Sequence, residues 1–228
     1  MSGTLGDIVT TLFGESTQTV DIIILLTILT LLPSILLMLT GFTRILIVLS
    51  FVRNSLGMQQ TPPNQVLIGL ALFLTFFVMQ PVFSRVNQEA YAPFVAGEIE
   101  QDELITRAMV PTREFMFEQV ADSDLTFFLN LSGEENISGD DFDEALVPNS
   151  VLIPAFLTSE IKQAFWIGFM IYIPFIVIDM IVASTLMAMG MMMLPPAMIS
   201  LPFKVLLFVM VDGWQLIIGT VIQSFRGG

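Results

Sequence analysis

The stretch Thr158–Pro196, TSEIKQAFWIGFMIYIPFIVIDMIVASTLMAMGMMMLPP, decides the fold. Its apolar run continues past Trp166, Pro174 and the single charge Asp179 to Met189. Thr158 or Ser159 suits a helix N-cap, with Glu160 in the favoured first turn. A helix from Ser159 to Gly190 would measure ~48 Å at about 1.5 Å per residue, against a bilayer core of about 30 Å. Gly190 followed by Pro195-Pro196 is a turn signal. Apolar sequence then resumes through Lys204, Asp212 and Trp214. Residues 151–228 therefore read as one apolar helical hairpin with a methionine-rich turn.

A second apolar block covers 21–83. Ile22 to Thr43 carries no charge, and neither does Asn54 to Ser84. Asp21 to Leu56 as one helix would span ~54 Å. Pro33 and Pro174 are candidate kinks. Gly57 suits a helix C-terminus, and Pro62-Pro63 can open the next helix but cannot continue one. This is another hairpin, turning near 57–63. Residues 1–20 form a tail with no basic n-region and no apolar h-region, so no signal peptide is expected there.

Composition agrees. The 228 residues are 54% hydrophobic and 13% charged, with a mean hydropathy of +0.82. An ordinary soluble domain has roughly 45–50% apolar and about 25% charged residues. The chain belongs in or against a membrane. The net charge of −13 is local: Pro81 to Ser150 holds 15 acids and 3 bases, the rest of the chain 6 acids and 5 bases. Residues 84–150 are thus an acidic insert, with short amphipathic patterns through Phe115, Val120, Leu125, Phe128 and Leu129. Pro111 suits a first helical turn there, and Gly133 a stop followed by a loop to Glu144. The expected fold is all-α: two long apolar hairpins flanking a small acidic helical insert, assembling into a ring or helical channel.

There is no cysteine and no histidine. That removes thiol catalysis, His-ligated metals, Ser-His-Asp triads and imidazole relays. No cofactor or metal is expected, and without a basic patch neither is a nucleic-acid partner. An intramembrane aspartyl dyad of Asp179 and Asp212 lacks a recognisable motif. A small-solute transporter would show a midplane polar site, whose residues are missing.

The candidate site residues are few. Asp179 precedes Met191 by 12 residues and Lys204 follows Met192 by 12. In a hairpin turning there they share a depth, which points to an interhelical ion pair fixing register. Arg44, Arg53, Glu160, Lys162 and Asp212 are further charges expected as assembly contacts. Met191, Met192 and Met193 cannot all face one helix side, and in an oligomer a ring of such turns makes a soft constriction. Trp166 and Trp214 fit interfacial anchors or packing residues equally.

Several stretches resemble the FliP family of flagellar export proteins. They are Phe42-Thr43-Arg44-Ile45, Arg53-Asn54-Ser55-Leu56-Gly57, Pro62-Pro63-Asn64-Gln65-Val66, Leu152-Ile153-Pro154-Ala155-Phe156 and Pro174-Phe175-Ile176-Val177-Ile178-Asp179. Met189-Gly190-Met191-Met192-Met193-Leu194-Pro195-Pro196, Ile199-Ser200-Leu201-Pro202-Phe203-Lys204 and Asp212-Gly213-Trp214-Gln215 follow in order. The resemblance implies a core subunit of the type III secretion export gate in the bacterial inner membrane. It implies a homo-oligomer, a pentamer, with FliQ and FliR, working with FlhB and FlhA and passing unfolded protein cargo. It also implies a methionine gasket at Met191, Met192 and Met193. Thr43-Arg44, Gln65 and Gln215 look flagellar, which ranks the virulence-system (injectisome) homologue second.

The loop carrying Arg44 and Arg53 is basic with no acid nearby, so the positive-inside rule places it in the cytoplasm. The insert and both termini are then extracytoplasmic. A single cysteine replacing Ser132 is expected to react with an impermeant thiol reagent in whole cells, and one replacing Gln59 to stay unlabelled. The reverse pattern would invert the orientation.

Overall fold

A computed structural model describes residues 37–58, 60–133, 144–191 and 193–226, together with Ile23, Leu26, Thr27, Thr30 and Ser34. Among the described residues every regular element is helical. In chain order, α1 is Phe42–Ser55 and α2 is Asn64–Val86. A π-helical turn (Asn87–Tyr91) and a last turn (Ala92–Val95) extend α2. Then come α3 (Gln101–Gln119), α4 (Asp122–Ser132), α5 (Asn149–Ala188), α6 (Pro196–Met210) and α7 (Gly213–Gln223). Two helices, 64–95 and 149–188, are long and apolar enough to cross a membrane, and a third span exists if α6 and α7 count as one.

The described residues form two compact units, which cut across the chain's linear blocks: those up to residue 40 with 81–115, and 41–80 with those from 116 on. In the first, Arg85 pairs with Glu89 and Glu114, and Arg107 with Glu103. The Arg85 guanidinium beside Glu114 holds that carboxyl below the usual carboxylate range.

The second unit is built on α1 and α5. In α1, Ile45, Val48, Leu49, Val52 and the following Leu56 are buried, at the three- and four-residue spacing of one helical face. In α5, Leu152, Ala155, Phe156, Ala164 and Gly168 form the facing stripe. Arg44 meets Glu160 and Phe51 meets Phe165, so the two helices run parallel. Gly168 permits their approach: a Cβ there would sit 2.5 Å from the Phe51 ring. The α4 helix lies on α5, and α6 returns along it.

Four expectations are corrected. First, Asp21 to Leu56 is not one helix. Leu37–Leu39 are helical, but Thr40 and Gly41 break the path before α1. Gly41 is required because a Cβ would meet the Phe225 ring at 2.4 Å. Pro33 lies outside the described residues. Second, α5 starts at Asn149, not at Thr158 or Ser159. Pro148 is its extended N-cap residue, and Ser159 is an interior residue with a tertiary partner. Third, Pro111 lies inside α3, whose first turn instead carries Asp102 and Glu103, acids that suit the positive end of the helix dipole. Fourth, the returning arm after Pro196 is broken. The axes of α6 and α7 differ by 65°, and Asp212 between them takes a left-handed φ of 49°. The Phe208 ring blocks any side chain at Gly213, where a Cβ would come within 2.4 Å. The 134–143 part of the expected acidic loop lies outside the described residues, after Gly133 ends α4 with φ 76°.

The turns after α1 and α5 close the same way. Gly57 donates to the Asn54 carbonyl at 3.0 Å and Met58 to that of Arg53 at 3.3 Å. Gly190 donates to Met187 and Met191 to Leu186, both at 3.0 Å. These are Schellman motifs with glycine in the left-handed position, at φ 76° and 75°.

Gly168→Ala is expected to destabilise the protein by about 1–3 kcal/mol through overpacking, read as a lower thermal aggregation midpoint in detergent. Adding Phe51→Ala should recover part of that loss. A neutral Gly168→Ala would show that α1 and α5 do not meet there.

Candidate functional site

The innermost polar group is Arg44. It projects from α1 into the seam with α5, and neither its side chain nor that of Glu160 has any exposure (0%). A guanidinium has five N–H donors, and here each finds an acceptor. Nε donates to Glu160 Oε2 at 3.0 Å and Nη2 to Glu160 Oε1. Nη2 also donates to Gln119 Oε1 at 3.1 Å. Nη1 donates to the Ser224 carbonyl and to Ser224 Oγ, both at 3.1 Å. The Phe225 ring lies over the guanidinium carbon, 4.0 Å from its centroid, a cation–π contact. Gln119 Nε2 in turn donates to the Phe225 carbonyl at 3.1 Å. One side chain thus gathers α1, the end of α3, α5 and the residues after α7.

Two further ionic clusters sit on α5. Asp124, at the start of α4, pairs with Lys162 and accepts from Ser159 Oγ at 2.8 Å. Ser159 Oγ accepts from the Ala121 amide at 3.0 Å, which ties the entry of α4 to α5. Further along, Lys204 Nζ on α6 lies 2.6 Å from Asp179 Oδ2, and Ser200 Oγ donates to Asp179 Oδ1 at 2.5 Å. Lys204 is buried and Asp179 only partly so. The structure therefore brings together Arg44 with Glu160, and Asp179 with Lys204. Among the described residues it does not bring Arg53 or Asp212 to an opposite charge. Arg53 Nη1 donates to Asn64 Oδ1, its buried Nε lacks a partner, and Asp212 caps α7 with no side-chain bond.

The methionine turn protrudes beyond the hairpin. Met193 is 98% exposed and Met191 43%. Met192 lies outside the described residues. Among the described residues no acid cluster suits a metal ion. Trp166 is exposed, while Trp214 stacks edge-on against Phe208 with centroids 5.3 Å apart.

Sequence reasoning missed Gln119, Ser224, Phe225 and Asp124. No pattern marks them, because their partners lie 35 to 180 residues away along the chain. The available hint was that a charge inside an apolar block needs a partner, which says that Arg44 is paired but not with what.

The pattern of the FliP family matches residues 25–221. The flagellar biosynthetic protein FliP of Pectobacterium carotovorum subsp. carotovorum is 56% identical over 213 residues, covering 93% of this chain and 81% of that protein. The protein of that name from Bacillus subtilis (strain 168) is 55% identical over 210 residues, covering 91% and 92%. That of Aquifex aeolicus (strain VF5) is 43% identical over 213 residues, covering 93% and 88%.

Removing one partner from a buried ion pair leaves an uncompensated charge, typically costing about 3–5 kcal/mol. Arg44→Ala or Glu160→Ala should abolish the accumulation of folded protein in the membrane. The double Arg44→Met, Glu160→Gln should be milder than either, read by immunoblot and by protease resistance. A tolerated Arg44→Ala would mean that the cluster does not hold these helices together.

Proposed function

The chain belongs to the FliP family, a non-enzymatic membrane component of the flagellar type III export apparatus, and we propose that its copies build the export channel itself. In this reading five copies assemble in the inner membrane with FliQ and FliR and work with FlhB and FlhA. Unfolded flagellar subunits pass through the middle. The observation that carries it is the mismatch between helix length and covered surface. The 40 residues of α5 extend ~60 Å, twice a bilayer core of about 30 Å, yet most of its apolar face is uncovered within one copy. Phe165, Phe169, Val177 and Ile181 on α5, and Phe73, Phe76 and Phe77 on α2, are all exposed. Lipid can cover about half of α5. The remainder calls for other protein chains.

The methionine turn supplies the gate in this reading. A secretion channel must hold back ions at rest and then yield to an unfolded polypeptide. β-Branched side chains are stiff at χ1 and would seal poorly around changing cargo. Methionine has three rotatable bonds and no charge, so a ring of methionines fills a pore and parts when a chain passes. Such a ring also blocks ions by dewetting. The Schellman closure at Gly190 and the helix restart at Pro196 hold each turn at the tip of a rigid hairpin. The Asp179–Lys204 pair sets the register of its two arms.

Replacing Met191, Met192 and Met193 together by Ala should leave assembly intact on native gels. Resting cells should become leaky to small ions and salt-sensitive, with export falling only modestly. An assembled triple variant that stays ion-tight would make these residues packing groups and place the gate elsewhere.

A further inference from the structure

Arg53 and Asp212 are left over once the charges of the apolar blocks are paired. Arg44 holds Glu160, Lys162 holds Asp124 and Lys204 holds Asp179. Among the described residues of the two blocks, Asp212 is the one acid without an ion pair, and the bases without one are Arg53 and Arg226. An ionisable group at membrane depth without a partner in its own chain calls for one elsewhere.

Their depths along α5 decide which base matches Asp212. Phe51 stacks on Phe165 and lies against Gly168. Arg53, two residues on, is then about level with Met170 at 1.5 Å per residue. Asp212 lies eight residues past Lys204, which faces Asp179. Because α6 runs antiparallel to α5, this places Asp212 about level with Ile171. The groove in the α6–α7 elbow agrees: its volume is about 550 Å³, and Met170, Ile171 and Pro174 line it together with Val211 and Gly213. Arg226 is at the other end, two residues beyond Ser224, which touches Arg44 at the level of Glu160. So Arg53 and Asp212 share a depth while Arg226 is roughly 15 Å away along the axis.

Within one copy the two cannot meet. Arg53 rides on α1, against the Phe165 and Gly168 side of α5, whereas Asp212 sits at the elbow, against the Ile167, Met170 and Pro174 side. By the 3.6-residue repeat these sides are roughly 160° apart around α5. Equal depth on different faces suits a head-to-tail contact between identical copies around a closed ring. We propose that Arg53 of one copy forms an ion pair with Asp212 of the next, so that each α6–α7 elbow docks against the first-hairpin end of its neighbour. Two features then gain a purpose: the left-handed backbone at the exposed Asp212 of the elbow and the exposed Val209, Met210 and Val211 beside the acid. The inference rests on the reading that copies of this chain assemble with one another.

The cysteine-free chain gives a clean test in native membranes. Oxidising the double variant Arg53→Cys, Asp212→Cys is expected to yield a reductant-sensitive ladder of dimers and larger species, while each single variant yields none. The charge reversals Arg53→Asp and Asp212→Arg should each lower the assembled complex about thirty-fold, the factor matching loss of one partner of a buried charge pair, and the double reversal should restore most of it. An unmodified chain that assembles normally, with no ladder and no rescue, would overturn the pair but leave the channel reading standing. Ladders from either single variant would do the same, since they report a symmetric contact. An unmodified chain that stays monomeric would overturn both.

Discussion

Arg44 is the constraint on which the second compact unit depends. Burying a guanidinium is tolerated only if it is paired and fully hydrogen-bonded, and here all five donors are used. That demand is directional. It fixes the rotation of α1 against α5, brings the amide of Gln119 to the same point, and folds the residues after α7 back so that Ser224 and Phe225 complete the shell. The glycine at 41, where Phe225 leaves no space for a side chain, is a consequence of the same convergence.

The charges on α5 mark successive levels along a helix that is otherwise nearly uniform in hydrophobicity. Apolar packing between such helices is non-directional, and one that slides by a turn loses little buried area. Glu160 takes α1, Lys162 takes α4 and Asp179 takes α6, each through one opposite charge. The buried Arg44–Glu160 pair adds little net stability over an apolar replacement, but a wrong register leaves its charges unpaired at a penalty of several kcal/mol, and the more exposed Lys162 and Asp179 pairs carry a smaller one. A chain with this few charges therefore uses them to choose among alignments that its apolar surface cannot distinguish.

What remains uncovered is as telling. The faces of α2 and α5 outside the seam are apolar and exposed in a single copy, and the most mobile kind of apolar side chain stands at the hairpin tip in Met191 and Met193. In the reading proposed above, neighbouring copies complete that surface, with the Asp179–Lys204 pair holding the arms of the second hairpin and the methionines forming its soft edge.

Much of this was legible in the residues. Low charge, long apolar runs and the glycine and proline-pair punctuation at 57–63 and 190–196 determine long apolar helices separated by two turns, because a turn of this type needs a left-handed residue that glycine supplies, whereas the packing of α1 on α5 was not legible. The equal spacing of Asp179 and Lys204 about the methionines determines their depth, since a tight antiparallel return maps sequence distance onto height. The starts of α3 and α5 were not legible, because proline and serine inside a helix look locally like its beginning, and only the packing around them holds the longer helix together. The break at Asp212 was not legible either, for an aspartate in an apolar run carries no mark of a positive φ. Nor were the partners of Arg44. The sequence by itself determined that long apolar helices form and that charges within them call for partners. Only the tertiary structure decided which residues meet, because contacts between groups as many as 180 residues apart follow from how helices pack and from no local pattern.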